Sequence, residues 1–193
     1  MRSGSTGPAL VSDERLAQVL PAAQQGEAWA VTAVYEVLAP RVQGYLRGRG
    51  ASEPEDLTSE VFLAVLPRLA TVTGGAGGLR TFVFSVAHAR LVDDLRRRGR
   101  RAPVLELDPV ADGVPSASAE DAALEAVSTE RVRSVLSVLP DDQRDVLLLR
   151  IVADLTVEQV AIAIGRSQGA VKQLQRRGLL ALRAGVDHGR VPL

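Results

Sequence analysis

Between residues 155 and 182 the chain reads LTVEQVAIAIGRSQGAVKQLQRRGLLAL. Val157, Val160, Ala161 and Ile164 fall at i, i+3, i+4, i+7, the spacing of an amphipathic helix. Thr156 followed by Gln159 is a capping box for its start, and Gly165 supplies the left-handed residue that ends it. Ser167 can cap a second helix whose apolar side is Val171, Leu174 and Leu182. The small Ala161 leaves room for that helix to cross closely, so the stretch predicts a helix-turn-helix. At 100° per residue, Lys172, Gln173 and Arg176 face away from the apolar side. The pattern alone leaves open a helical module that never meets DNA, because exposed Lys and Arg cover most helices.

The same periodicity runs through the rest of the chain. Ser12 to Pro21 predicts a short helix behind an expected disordered stretch, 1–11. Glu27 to about Arg49 predicts a long one, with Val31, Tyr35, Leu38, Val42 and Tyr45 on one face and Pro40 as a point of strain. Pro54, Glu55 and Asp56 suit a helix start. Leu57, Val61, Ala64 and Val65 follow inward, which leaves Asp56, Glu60 and Leu63 outside. Residues 71–78, ending in GGAGG, read as a flexible connector. Leu79 to Arg98 predicts a helix with Phe82, Val83, Val86, Ala87, Leu91 and Leu95 inward. Helices resume around Val132, Val135, Leu136 and Leu139, and again from Pro140 to about Val152.

Composition sharpens this to an all-α architecture. Aromatic residues are only 3% of the chain, so its cores must be built from Leu, Val and Ala. The net charge is zero, but it is unevenly spread. Arg80 to Arg101 holds seven arginines, Ala102 to Glu130 holds seven acids and no cation, and the last third is basic again. Two small helical domains, the second with the helix-turn-helix, joined by a flexible acidic linker rich in Pro, Ser and Ala account for all three segments. Five arginines within six residues at 96–101 exceed what a helix dipole needs and fit phosphate binding.

Catalytic and metal chemistry find no footing in the sequence. There is no cysteine, His88 and His188 lack a second ligand at metal spacing, and the GGAGG run lacks the Lys-Ser/Thr of a phosphate loop. Asp93-Asp94 and Asp141-Asp142 are adjacent pairs whose side chains diverge on a helix. Neither a cofactor nor enzymatic activity is expected. The first residues lack a signal-peptide core and no apolar run approaches a membrane span, so a cytoplasmic protein without direct membrane insertion is expected.

Four segments in order resemble the bacterial RNA polymerase sigma factors of the extracytoplasmic-function type. Ala39 to Gly50 (APRVQGYLRGRG) is similar to region 2.1, and Glu55 to Leu66 (EDLTSEVFLAVL) to the region 2.2 signature, with Ser59 for the usual Gln. Leu79 to Arg100 is similar to regions 2.3 and 2.4, and Leu139 to Arg183 to region 4. The resemblance implies a region 2 domain over 1–101, a linker over 102–127 and a region 4 domain over 128–193. It implies a transcription initiation factor that binds core RNA polymerase, through the β′ clamp helices and the β flap, and promoter DNA, assisting local melting. Regulation by an anti-sigma factor is a further implication. Asp56, Leu57, Glu60, Phe62 and Leu63 would then contact the polymerase. Phe82, His88, Arg90, Arg96 and Arg97 would engage the −10 element, and Arg166, Ser167, Gln168, Lys172, Gln173, Arg176 and Arg177 the −35 element. Further positions depart from the family's habit: His88 stands for Arg, Ala89 for Asn, Ala170 for Thr, and Arg166 where an apolar residue usually packs. A conventional helix-turn-helix regulator binding duplex DNA without polymerase is the alternative, and a helical adaptor that binds no DNA is a third.

Overall fold

The structure is a computed structural model that describes residues 8–100 and 135–187; the predicted linker, 102–127, lies outside the described residues. The described residues are helical, without a strand. Helix α1 spans Pro8–Gln24, α2 Ala28–Gly48 and α3 Pro54–Val65. A 3-10 segment, Leu66–Thr71, leads to α4, Gly75–Arg100. After the gap come α5, Asp141–Ile151, α6, Val157–Ile164, and α7, Gln168–Asp187.

Two helices extend beyond the bounds the sequence predicts. Helix α1 begins at Pro8, within the stretch expected to be disordered, and runs through Pro21 to Gln24. Tertiary contacts override the proline: Leu16, Leu20 and Ala23 are buried, and the Gln24 amide donates to the carbonyls of Leu69 (3.2 Å) and Val72 (2.8 Å). The GGAGG run is not a loose connector. Gly74 and Gly75 take φ of +81° and +61°, and α4 starts at Gly75. Gly78 is already inside the helix, so close to the Thr73 carbonyl that a Cβ there would stand 1.8 Å from its oxygen. These glycines permit a tight approach that no side chain fits.

The other elements form as their sequences dictate. Pro40 lies on the exposed side of α2, which continues unbroken, while Leu38, Val42 and Tyr45 are fully buried. Pro54 occupies the first turn of α3 with Glu55 and Asp56. Thr156 and Gln159 make the reciprocal capping box, and Gly165 closes α6 at φ +64°. Ser167 Oγ accepts from the Ala170 amide to open α7 (3.2 Å). Gly178 lets α7 lie against α5, since a Cβ there would stand 2.9 Å from Leu147 Cδ1.

Helices α1 to α4 form one module and α5 to α7 a second. Their buried residues make a single continuous cluster, because α2 and α4 pack directly on α5 and α6. At the crossing of α2 and α5, glycines do the fitting: a Cβ on Gly44 would lie 3.3 Å from Val152 Cγ1, and one on Gly48 2.9 Å from Leu148 Cδ2.

Candidate nucleic-acid and partner interfaces

The helix-turn-helix presents one polar face. Burial of Val171 and partial burial of Leu174 and Leu182 fix the rotation of α7, so Gln168, Lys172, Gln173, Arg176 and Arg177 are exposed. Arg166 and Ser167 precede them in the turn, also exposed. Ser167 is engaged in capping, and the Arg166 guanidinium pairs with Asp142 at 3.0 Å. Five of the seven side chains thus project from one helix with its N-terminus leading, an arrangement able to enter a major groove.

On α4 the five residues expected to face DNA do not form one surface. Arg90, Arg96 and Arg97 are exposed, with Asp93 and Asp94 each 4.0 Å from a neighbouring guanidinium, on Arg96 and Arg97 respectively. Phe82 is half-buried against the core, more than two turns away. His88 faces α2 and α5 instead of solvent: its Nδ1 lies 2.9 Å from Tyr45 Oη and 3.8 Å from Asp145 Oδ1. Arg98 is structural, donating to the Gly50 carbonyl and pairing with Asp94, both at 2.9 Å.

Helix α3 splits the predicted polymerase contacts. Asp56, Glu60 and Leu63 stand on one outer face at i, i+4, i+7, with Leu63 75% exposed. Leu57 and Phe62 belong to the core, 4% and 2% exposed, and a partner cannot reach them; the helical period that sends Glu60 and Leu63 outward turns these two inward. Phe62 instead meets Tyr35 edge-on, with ring centroids 4.7 Å apart. Tyr35, expected on the buried stripe of α2, is 42% exposed and joins Gln43, Glu55 and Ser59 along a groove between α2 and α3. Burial works against the Glu55 charge, but hydrogen bonds from Arg47 and Gln43 (2.6 Å from Gln43) prevail and hold its carboxyl below the usual range.

One cluster is not foreseen from sequence. Asp145 of α5 is buried, and it accepts from Arg49 Nε at 2.6 Å and from Tyr45 Oη at 2.9 Å. Arg49 also reaches Asp141 at 3.0 Å. Burial opposes the Arg49 charge, yet Asp145 and Asp141 outweigh it and hold the guanidinium's pKa above its ordinary value. Burial, with Asp145 adding to it, pushes the Tyr45 phenol well up. Its signals in the sequence are an aspartate heading the apolar run DVLLL and glycines spaced i, i+4 at 44 and 48. Among the described residues, no group of three His, Cys, Asp or Glu side chains could hold a metal ion, and no helix is long and apolar enough to cross a membrane.

Comparison with known proteins matches the two modules to two family models in the expected order. "Sigma-70 region 2" covers residues 34–101 and "Sigma-70, region 4" covers 135–184. The extracytoplasmic-function (ECF) RNA polymerase sigma factor SigD of Mycobacterium tuberculosis is 34% identical over 180 residues, which span 88% of this chain and 83% of that protein. The chain belongs to the sigma-70 family, among its extracytoplasmic-function members. The ECF sigma factor ShbA of Streptomyces griseus is 33% identical over 174 residues, with 84% of this chain and 90% of that protein covered. BldN of Streptomyces coelicolor, another ECF sigma factor, is 30% identical over 178 residues, 91% of this chain and 67% of that protein. A solved structure of CnrH in complex with the cytosolic domain of CnrY shares the fold, with a TM-score of 0.65 at 19% identity over 92% of this chain and 98% of that one. As a sigma factor, the protein is a transcription initiation factor that binds core RNA polymerase and directs it to promoter DNA.

Proposed function

We propose a division of labour among three surfaces of this sigma factor. Helix α7 reads the −35 duplex from its major groove, with Gln168, Lys172, Gln173, Arg176 and Arg177 on bases and phosphates and Arg166 and Ser167 at the leading turn. Arg90, Arg96 and Arg97 of α4 hold −10 DNA, and Phe82 and His88 join them only when their surroundings rearrange. Asp56, Glu60 and Leu63 dock on the clamp helices of the polymerase β′ subunit, and the second module docks on the β flap. The chain has no catalytic activity of its own and acts in the cytoplasm. An anti-sigma factor holds it in reserve; support comes from CnrH, solved with the cytosolic domain of CnrY.

The observation that carries this reading is the exposed cationic and amide face of α7, set behind a fully capped turn. Promoter-dependent transcription with reconstituted polymerase tests it. Lys172→Ala with Arg176→Ala should weaken −35-dependent initiation while leaving core binding intact. Glu60→Arg should weaken competition for core. Unchanged −35 preference in the first variant, or normal competition in the second, would remove the corresponding assignment.

A further inference from the structure

Arg166 stands where the backbone is fixed and the side chain is not packed. Gly165 closes α6 in the left-handed conformation and its amide donates to the Ile162 carbonyl at 3.4 Å. The Arg166 amide donates to the Ala161 carbonyl at 3.0 Å, which completes a Schellman motif. The residue that makes this second bond frequently folds an apolar side chain back onto the helix it ends. Here it is an exposed arginine, whose guanidinium is held at 3.0 Å by Asp142 from the first turn of α5. Ser167 follows at once as the cap of α7. The guanidinium is thus anchored by a hydrogen-bonded turn at one end and a carboxylate at the other, just ahead of the helix assigned to DNA.

The pairing decides what kind of group this arginine can take. Asp142 Oδ2 occupies one guanidinium nitrogen, Nη2, and the rigid fork keeps further N–H donors for a second, bidentate partner. A phosphate would be drawn to the arginine and repelled by the aspartate beside it, and the pair as a whole carries no net charge. The uncharged O6/N7 edge of guanine accepts two hydrogen bonds without that repulsion, and it is displayed in the major groove, where the N-terminal end of a recognition helix reaches. Gly169 and Ala170 put nothing long on the first turn of α7, so the helix end can approach the base edges. Among the described residues, no carboxylate pairs with Lys172, Arg176 or Arg177 of the same face, which leaves their charge for phosphates.

We infer that Arg166 reads one guanine of the −35 element and that Asp142 is its positioning residue. The inference rests on the assignment of α7 to the −35 duplex and adds to it a base and a second residue. Asp142 touches no nucleotide. It holds the arginine fork in one orientation before DNA arrives, and it cancels the charge that would make Arg166 one more phosphate ligand. The pair therefore supplies sequence preference, while the unpaired cations of α7 supply affinity that any sequence can use. With both side chains about half exposed, the pair adds little to the stability of the fold, so orientation is the use it has.

The test is a promoter library randomised across the −35 element, transcribed by reconstituted holoenzyme and sequenced to give the base preference position by position. The parent should favour guanine at one position by on the order of tenfold through Arg166. Arg166→Ala should lose that preference and keep those at the other positions. Asp142→Ala should weaken the same preference several-fold and Asp142→Glu should restore it, while thermal melting of the free chain stays close to the parent's. Arg166→Ala combined with Asp142→Ala removes no net charge, so the salt dependence of promoter binding should keep the parent's slope. An Arg166→Ala profile identical to the parent's overturns guanine reading. So does a double variant that weakens every −35 sequence equally with a shallower salt slope, the mark of a phosphate contact. Full guanine preference in Asp142→Ala overturns the positioning role. A parent without preference at any −35 position would remove the assignment of α7 itself, a failure distinct from the others.

Discussion

His88 shows how the packing around a residue sets its chemistry. The single phenolic hydrogen of Tyr45 is given to Asp145, so the His88 Nδ1 must donate to the Tyr45 oxygen. Burial lowers the His88 pKa below its ordinary value; Asp145 and Asp142 act to raise it, and Arg49 to lower it further. Arg96 and Arg166 also line the cleft beside the ring, as do Asp141 and Asp142. A histidine depressed in the packed state binds its proton more tightly when the modules part or unfold. Its contribution to the packed state is therefore full above about pH 6.5 and lost as pH falls through the lowered folded value. Melting temperature should drop between pH 7.5 and 5.5, and His88→Gln should flatten that slope. An unchanged slope in the variant would place the titrating group elsewhere.

At the scale of elements, glycine chemistry separates what the sequence shows from what it hides. Gly78→Ala should destabilise the chain by about 1–3 kcal/mol through overpacking, because the added Cβ meets the Thr73 carbonyl oxygen. Gly99→Ala meets nothing within 4 Å in the same helix and should be neutral or stabilising by up to about 1 kcal/mol. Thermal melting checks both, at roughly 2–4 °C per kcal/mol for a chain of this size. The helix-turn-helix was fully legible, since the Thr156 capping box, the Gly165 stop and the Ser167 cap are local signals. The outward setting of Asp56, Glu60 and Leu63 was legible for the same reason, being a matter of period alone. The start of α4 was not. Four glycines in five positions read as flexibility, and only the tertiary position of the Thr73 carbonyl shows that they are required for packing. The continuation of α1 past Pro21 was hidden likewise, because it depends on Gln24 reaching Leu69 and Val72, more than forty residues away. Phe62 marks the limit of borrowing a motif: its aromatic character fits the signature, but its packing against Tyr35 is decided by the fold.

For the whole molecule, the question is which class of interaction joins the modules. Arg80–Asp154, which crosses between the modules, stands at 3.6 Å with the carboxylate half-exposed, so it is worth about 0–1 kcal/mol and is screened by salt. The Debye length falls from about 10 Å at 0.1 M to 3 Å at 1 M, which weakens exposed pairs but hardly touches Arg49–Asp145, sealed from solvent. The seating of Leu148 and Val152 on Gly48 and Gly44 is apolar and gains nothing from low salt. The buried and apolar contacts therefore dominate, and the radius of gyration of the free chain, measured by small-angle X-ray scattering, should be the same at 0.1 M and 1 M sodium chloride. Promoter binding by the holoenzyme should fall steeply over that range, with a log–log slope near −0.9 per phosphate contacted. Replacing Lys172 and Arg176 by Ala should make that slope shallower by about two contacts, without changing the scattering of the free chain. Swelling at 1 M would mean that the exposed pairs carry the joint, and that the buried carboxylate of Asp145 sets its register without holding it shut.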